Sequence, residues 1–408
     1  MEPIRLLHFG DTHIGVENYG RLDTLTGLHT RLQDFTRSLT FAVDAAFERD
    51  VDAVLFAGDA YKHATPNPTH EGILATQLKR LADAGIPVIM VTGNHDLPTA
   101  FGKASALSIF RTLGGAERFW VAEKPELFRL PTKRGALQVA CLPWPTRHIL
   151  LTKEEYKLHT EAEITQTIEA KCQNVIAKFA RDLDPALPSV LLAHVAVADA
   201  SYSGTERTTV IGQDPILLRS VLTNPAFDYV ALGHIHKHQN LNPRGAPPVV
   251  YCGSLERIDF GEARDPKGCC FVSLVKGQTS YEYLDAPARR FVKIEVDARD
   301  ADFPTEKILN AVQQVDVQDA VVRVTYLLRE AQQDDVDPER IYAALGQAFL
   351  VAGVGPHIEE MRTQRVRLTE GLSFTETLTQ YLDFRPDLAE DKPDLLAYAE
   401  LLRRELDM

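Results

Sequence analysis

The sequence predicts an α/β protein of helices layered on sheets, followed by a smaller α+β segment and a helical tail. Over residues 1 to about 283, short apolar runs rich in β-branched residues alternate with stretches of helical periodicity. That alternation is typical of helices packed around sheets. The chain of 408 residues also exceeds the usual size of one domain, so we expect two or three domains.

The predicted elements divide the chain into three parts. In the first part, helices are predicted over Leu32 to Arg49, Thr69 to Asp83 and Lys153 to Asp182. Residues 286–368 contain two strand-like runs, FVKIEVDA and AVVRVTYLL, and two predicted helices, Thr305 to Gln313 and Pro338 to Val351. Residues 371–408 show only helical patterning, in which the capping box Ser373-x-x-Glu376 and Pro393 mark two helix starts.

Charge and cysteine content exclude several classes of protein. The formal net charge of −13 argues against a protein that simply coats nucleic acid, because phosphate attraction normally requires a basic excess. Five cysteines without a CxxC pair argue against a disulfide framework and a zinc knuckle, so we expect reduced packing residues. The sequence shows neither a signal-peptide pattern nor a long apolar span, which predicts a cytoplasmic protein.

Polar residues follow five of the apolar runs at the point where each run ends. IRLLHF precedes Gly10, Asp11 and His13; AVLFA precedes Gly58 and Asp59; PVIMVT precedes Gly93, Asn94, His95 and Asp96; SVLLA precedes His194; and YVAL precedes Gly233, His234 and His236. In layered α/β proteins, ligands sit beyond the carboxyl ends of the strands. We therefore expect these side chains to converge on one site.

The residue types in this set suit divalent metal ions. Asp, Asn and His without thiolates form a nitrogen and oxygen ligand set for Mn, Fe, Zn or Co. One carboxylate, Asp59, can bridge two ions, and two ions can orient a phosphate and stabilise in-line displacement at phosphorus. Any one of these motifs alone is more simply a turn or a core histidine. Five of them after five strands predict a two-metal site.

The ordered series GDTH, GD, GNHD, a strand-end His and GHIH resembles the calcineurin-like metallophosphoesterase superfamily over residues 1 to about 283. The stretch PPVVYCGSLERIDFGEARDPKG, the long helix before His194 and the loop DASYSGTERTTVIG are similar to the nuclease subunits of the SbcC–SbcD type. This resemblance implies an α/β metallophosphoesterase fold of two packed sheets flanked by helices over residues 1–283. It also implies a small α+β capping domain over 286–368 and a helix–loop–helix partner-binding tail over 371–408.

The resemblance further implies a role for each residue of the set. One ion would be held by Asp11, His13, Asp59 and His236, and the other by Asp59, Asn94, His194 and His234. Two Mn²⁺ ions are expected. His95 would act on the scissile phosphate as a catalytic residue, and Asp96 would hold the His95 imidazole in place.

One stretch departs from the family pattern. Many relatives carry His or Asp directly after the aromatic residue that follows the second GD motif, whereas this chain has Lys62 there and His63 one position later. Lys62, His63 and Arg207 are candidate substrate-binding residues. The alternative for Lys62 is a solvated lysine, and the alternative for Arg207 is an ordinary surface arginine. The two tryptophans, Trp120 and Trp144, are expected to be packing residues.

The functional hypothesis is a two-metal DNA nuclease. The resemblance implies 3′-to-5′ exonuclease action on duplex ends and endonuclease action on single strands or hairpins, in DNA repair and recombination. The chain has no GxxxxGK[ST] loop, so any ATP dependence requires a partner. The resemblance implies the SbcC ATPase, bound through residues 371–408, and a homodimer within a heterotetramer. The alternatives are a small-molecule or cyclic-nucleotide phosphodiesterase and a metal-free scaffold.

Overall fold

Two six-stranded sheets form the first part of the chain in the computed structural model, which describes residues 2–98, 103–113, 115–146, 160–204, 214–356, 378–379, 382 and 392–405. The strands in this part are β1 (Ile4–Phe9), β2 (Ala53–Phe56), β3 (Val88–Val91), β4 (Phe119–Ala122), β5 (Glu126–Thr132), β6 (Gly135–Leu142), β7 (Ser189–His194), β8 (Ala196–Val197), β9 (Ile216–Leu217), β10 (Tyr229–Gly233), β11 (Gln239–Asn240), β12 (Val249–Tyr251), β13 (Gly268–Leu274) and β14 (Ser280–Asp285).

Each of the two sheets has six strands. The first runs β14-β13-β1-β2-β3-β4 and the second β11-β12-β10-β7-β6-β5. In the first sheet β1 to β4 are parallel, and β13 and β14 add antiparallel pairs on one side. In the second sheet β12, β10, β7 and β6 are parallel, and β11 and β5 are antiparallel strands at its two sides. The carboxyl ends of β1, β2 and β3 therefore lie at one edge of the first sheet, and those of β7 and β10 at one edge of the second.

Three apolar layers hold these sheets and their helices together. The inner layer packs the facing sides of the two sheets against each other, with residues such as Leu55 from one and Val190 from the other. The outer layers pack helices onto each sheet. Strands β1, β2, β3, β7 and β10 are almost wholly buried, which explains their near-continuous apolar sequences. The predicted α/β fold of two packed sheets flanked by helices is confirmed.

Helices α1 (Thr30–Glu48), α2 (Pro68–Asp83), α3 (Ser108–Leu113), α4 (Gly115–Arg118), α5 (Glu161–Asp182) and α6 (Arg219–Leu222) belong to this part of the chain. The helix predicted from Lys153 begins instead at Glu161. Thr160 caps it, because the Thr160 side chain accepts a hydrogen bond from the backbone N–H of Glu163, and the Glu163 carboxylate accepts one from the Thr160 backbone. Residues 153–159 of the predicted helix lie outside the described part of the chain.

A third, parallel sheet follows, made of β15 (Phe291–Asp297), β16 (Val321–Leu327) and β17 (Leu350–Pro356). Helices α7 (Pro304–Gln313) and α8 (Pro338–Ala344) pack on it and share its apolar core. The helix predicted from Pro338 to Val351 is thus wrong at its end. Residues 350 and 351 belong to an edge strand, whose pattern is weakened by Gly353 and Gly355 and by half-exposed side chains.

An ion network centred on the buried Arg289 joins this sheet to the first part of the chain. The Arg289 guanidinium donates to both carboxylate oxygens of Asp34 at 2.7 Å and to the Asp319 carboxylate at 2.7 Å. Asp34 lies in α1, and Asp319 lies two residues before β16. Beside these ions, Phe260 packs its ring 5.1 Å from that of Phe291. Planar, multidentate arginine contacts of this kind fix orientation as well as charge.

Helix α9 (Lys392–Glu405) agrees with the second helix predicted for the tail, whereas the capping box at Ser373 lies outside the described residues. None of the helices in the described ranges combines the length and apolarity needed to cross a membrane. All five cysteines are buried free thiols, as expected from the sequence.

Candidate metal centre

The seven candidate metal ligands meet where the carboxyl ends of the central strands of both sheets lie together, which we call the shared edge. They lie directly after β1, β2 and β3 in the first sheet and at the ends of β7 and β10 in the second. Six of them are buried and Asn94 is half-buried; the set comprises Asp11, His13, Asp59, Asn94, His194, His234 and His236. The convergence expected from the sequence is present, although these residues span more than two hundred positions.

The backbone at this edge is strained. Asp11, His13, Asp59 and His234 have φ values of 48°, 39°, 53° and 99°, in the left-handed region that side-chain-bearing residues seldom adopt. These are four of the seven such residues other than glycine in the described part of the chain. Strained residues persist only where the surrounding structure holds them, and they cluster at functional sites.

Glycine is required beside two of these ligands. A Cβ atom on Gly93 would lie 2.0 Å from Oδ1 of Asp59, and one on Gly58 would lie 2.6 Å from Nδ1 of His194. Any larger residue would therefore displace a ligand side chain. This explains why the GD and GNHD motifs both begin with glycine.

One group of ligand atoms forms around His13. Its Nε2 atom lies 2.9 Å from Nε2 of His236 and 3.7 Å from Oδ2 of Asp59. His236 binds Glu262 through Nδ1 at 2.8 Å. The Nδ1–H group donates to the carboxylate, so the free lone pair of His236 lies on Nε2. Asp11, His13 and His236 also offer ligand atoms close enough together to hold one ion.

A second group forms around His194 on the other side of Asp59. The Nε2 atom of His194 lies 3.1 Å from Oδ1 of Asn94 and 3.4 Å from Oδ2 of Asp59. Its Nδ1–H donates to the carbonyl of Ala57 at 2.7 Å, which again leaves the lone pair on Nε2. The Nδ1 atom of His234 lies 3.2 Å from the same Asn94 oxygen. Oδ2 of Asp59 therefore lies between the two groups.

Burial shifts the pKa values of several ionisable side chains at this edge. Burial raises the pKa of Asp11 to about 7, because the charged form loses its water. Burial also lowers the pKa of His234 to about 3 and that of His13 well below its ordinary value, so both imidazoles are neutral. Burial opposes ionisation of Asp59 as well, but the His194 imidazole, whose Nε2 lies 3.4 Å from Oδ2 of Asp59, outweighs it and holds the pKa of Asp59 low.

These observations fit two divalent ions. Lone pairs of imidazole, amide and carboxylate groups face one another in a buried pocket, where they would repel without a positive charge between them. Asp11, His13, Asp59 and His236 would hold one ion, and Asp59, Asn94, His194 and His234 the other. The shared carboxylate has the position that a bridging ligand needs.

His95 stands at the open side of the site. It is exposed, and its ring lies edge-on to that of His13 with 4.9 Å between centroids. Its Nδ1–H donates to the backbone carbonyl of Lys62 at 3.0 Å, and its backbone N–H donates to Oδ1 of Asp59 at 2.9 Å. The Nε2 atom is therefore the ring nitrogen left to contact a substrate. With His13 and Asp59, His95 also forms a group of possible ligands.

The expectation that Asp96 orients the His95 ring is wrong. The Asp96 carboxylate is fully buried and accepts the backbone N–H groups of Asp59, Ala60 and Gly93 at 2.8, 2.9 and 2.8 Å. Asp96 thus ties the loop after β2 to the loop after β3. The ring is held instead by a backbone carbonyl, which no side-chain motif can reveal.

Two functional residues were missed from the sequence, Glu262 and Lys267. Glu262 is fully buried, and besides His236 it accepts Nζ of Lys267 at 2.8 Å. Lys267 also donates to the carbonyl of His236 at 3.0 Å. The pair therefore holds the ligand His236 by both its ring and its backbone. Both residues lie in the stretch ERIDFGEARDPKG. The sequence offers only a weak indication of their role, namely that each is a charged residue near positions that are buried in the fold.

The candidate substrate-binding residues and the two tryptophans lie in different places relative to the metal centre. Lys62 contributes its backbone carbonyl, its side chain is half-buried, and His63 is exposed. Arg207 lies outside the described residues. Trp144, expected to be a packing residue, lies against the centre with its ring 4.8 Å from that of His234. Trp120 packs against Phe128 in the inter-sheet layer.

This fold and this edge of ligands define a class of metal-dependent phosphoester hydrolases. Residues 4–238 match the calcineurin-like phosphoesterase family, and the chain belongs to that family. It is accordingly a hydrolase that acts on phosphoester bonds with divalent metal ions.

Its relatives include DNA repair proteins. The chain is 31% identical over 352 residues to the DNA double-strand break repair protein Mre11 of Haloferax volcanii, covering 86% of this chain and 67% of that protein. It is 27% identical over 305 residues to the uncharacterized metallophosphoesterase YhaO of Bacillus subtilis, covering 74% and 65%. It is 26% identical over 309 residues to the D subunit of the nuclease SbcCD of Bacillus subtilis, covering 71% and 72%. The chain thus spans about two thirds of the length of these relatives.

Proposed function

We propose that the chain is a two-metal nuclease that hydrolyses DNA phosphodiesters, with Mn²⁺ as its ion. The observation that carries this proposal is the pair of ligand groups that share Asp59, with His95 exposed beside them. Two relatives that are named for DNA repair or nuclease activity support DNA as the substrate. The proposed actions are 3′-to-5′ exonuclease on duplex ends and endonuclease on single strands and hairpins, in DNA repair and recombination.

The side chains divide the work of the reaction. A pair of divalent ions supplies Lewis-acid polarisation of the phosphate oxygens and activation of water. The strained, buried ligands are held in place before any substrate arrives, which limits reorganisation during the reaction. His95, with Nδ1 fixed on the Lys62 carbonyl, offers Nε2 to the scissile phosphate or the leaving oxygen.

A partner is proposed because the chain alone is poorly suited to DNA. Its net charge is −13, so it would repel the phosphate backbone wherever metal ions or another protein do not counter that charge. We propose an ATPase of the SbcC type, docked through residues 371–408, and a homodimer within a heterotetramer. The proposed location is the cytoplasm.

A direct assay tests the activity. The purified chain is incubated with Mn²⁺ and with end-labelled duplex, single-stranded and hairpin DNA, and cleavage is followed on gels. We expect cleavage of at least one of these DNAs and its loss in EDTA. The competing hypothesis is a small-molecule or cyclic-nucleotide phosphodiesterase. Hydrolysis of a cyclic nucleotide with no cleavage of any DNA contradicts the nuclease proposal.

A further inference from the structure

A cavity of about 230 Å³ opens beside the candidate metal centre. It lies where β4 and β6 end, so it shares the carboxyl edge of the sheets with the metal ligands. Its walls are the loop after β4, residues 142–146 after β6, and one face of α5. Most of the lining is apolar, including Leu142, Pro143, Trp144, Ile168 and Val175.

Trp144 connects the cavity to the metal centre. Its indole lines the cavity, and it also lies 4.8 Å from the His234 ring at an angle of 34° and 6.0 Å from the His194 ring. Its backbone N–H donates to the carbonyl of Thr92 at 2.8 Å, just before the GNHD motif. The indole is therefore fixed relative to two candidate ligands, and a group in the cavity would adjoin a phosphoester at the ions.

Size and charge select the occupant. Ligand pockets for whole drug-sized molecules are typically about 300–1,000 Å³, so this cavity suits a single ring system rather than a complete nucleotide. Lys124 belongs to its lining and is exposed, which favours a molecule that carries negative charge in a chain whose net charge is −13. Glu123 also lines the cavity, and its carboxylate accepts a hydrogen bond from the Ser105 hydroxyl at 2.6 Å.

We propose that this cavity is a nucleobase subsite, which receives the base of a nucleotide that adjoins the scissile phosphate. The inference rests on the proposed function, because it takes the phosphoester substrate to be a nucleic acid. Aromatic stacking accepts any base, since every base has a π-face, so the subsite distinguishes nucleotides from other phosphoesters without reading sequence. In this subsite Trp144 would contact the substrate base in addition to the His234 ring.

Matched DNA substrates test the subsite. One series of single-stranded oligonucleotides is intact, and the other carries an abasic residue at successive positions around the cleavage site. We expect kcat/KM to fall by about tenfold or more at one abasic position, because base–aromatic stacking contributes on that scale. Equal kcat/KM at every position overturns the proposal.

A cavity-filling variant locates the effect. Val175→Phe places a larger ring in the cavity from the helix face, away from the metal ligands. It is expected to bring the ratio of intact to abasic kcat/KM close to one. Lys178→Phe adds the same ring to an exposed position of α5 that does not line the cavity, and it should keep the wild-type ratio. A Val175→Phe variant that folds and keeps the full ratio contradicts the assignment.

A binding measurement separates this inference from the nuclease proposal. If the wild type cleaves no DNA, the nuclease proposal fails, but the subsite is still tested by titrating the Mn²⁺-loaded chain with deoxyadenosine monophosphate and with deoxyribose 5-phosphate. We expect tryptophan fluorescence to be quenched by the nucleotide alone, and the quenching to be lost in Trp144→Phe. Equal responses to both phosphates, or quenching that survives Trp144→Phe, overturn the subsite.

Discussion

Individual side chains at the metal centre have different proposed roles. His95 is proposed to act in catalysis, whereas Asp59 is proposed to bind both metal ions. His95→Gln should leave metal content nearly intact while nuclease activity falls by about 10²-fold or more, because acid–base catalysis and charge stabilisation contribute on that scale. Asp59→Ala should lose metal, since Oδ2 of Asp59 lies between the two ligand groups. Metal content by mass spectrometry, measured beside activity, tests this division. Equal metal loss in both variants would show His95 to be a ligand.

The buried carboxylate behind His236 gives a second prediction. Glu262→Gln should weaken metal affinity by about 10- to 100-fold, because carboxylates that orient a ligating histidine contribute on that scale. The variant keeps the shape of the side chain but loses the charge that holds Nδ1–H of His236 and Nζ of Lys267. Competition with a chelator measures the affinity directly. Glu282→Gln is the control, since Glu282 pairs with Arg49 on the surface. Unchanged affinity in Glu262→Gln contradicts the positioning role.

A buried histidine outside the centre predicts acid sensitivity. Burial lowers the pKa of His8 to about 3, and its Nδ1 lies 3.1 Å from the Tyr229 hydroxyl. Because the folded pKa lies below the unfolded value of about 6.5, His8 contributes stability above that value, which is lost as pH falls toward 3.

The variant His8→Phe isolates this contribution. Between pH 6 and 4, the free energy of unfolding of the wild type should fall by about 1.4 kcal/mol per pH unit more than that of His8→Phe. Urea unfolding at several pH values, in EDTA, gives both curves. Parallel pH dependence in the two proteins would show that His8 does not remain neutral in the fold.

At the scale of elements, Asp96 joins two strand ends. Its carboxylate accepts three backbone N–H groups from the loops after β2 and β3, and these loops carry Asp59 and Asn94. Asp96→Ala should lower the free energy of unfolding by about 3 kcal/mol or more, because three buried donors lose their acceptor. Urea unfolding of the metal-free protein measures this effect. Asp83→Ala, at an exposed i,i+4 ion pair, serves as the control, and an equal small loss in both variants would count against the linkage.

At the scale of the whole molecule, the tail is predicted to be separable from the catalytic part. Helix α9 presents exposed Leu395 and Tyr398, and a helix of this length gains most of its stability by docking an apolar face. A chain that ends at Glu370 should still fold and keep the proposed Mn²⁺-dependent cleavage of single strands, but lose co-purification with the proposed ATPase partner. Circular dichroism, cleavage assays and pull-down test these three outcomes. Undiminished partner binding, or unfolding of the shortened chain, would show that the tail has another role.

Much of the candidate site was predictable because its signals are local. Five buried strands have near-continuous apolar sequences, and each is followed by glycine or by a polar residue at the shared edge. The rule that sites lie at the carboxyl ends of strands then brings Asp11, Asn94 and His234 together without any knowledge of distances. The two-sheet fold followed from the same alternation together with the family motifs.

The tertiary structure decided what depends on partners far apart in the chain. Glu262 reaches His236 and Arg289 reaches Asp34 only because folding brings them together, and no periodicity records such pairs. The His95 ring is held by a backbone carbonyl, which every residue carries, so no motif records this contact. The family resemblance had implied Asp96 for that role. Strand β17 was missed since its glycines and half-exposed side chains give no period-2 signal. The sequence by itself determined which groups meet; packing determined which atom each group contacts.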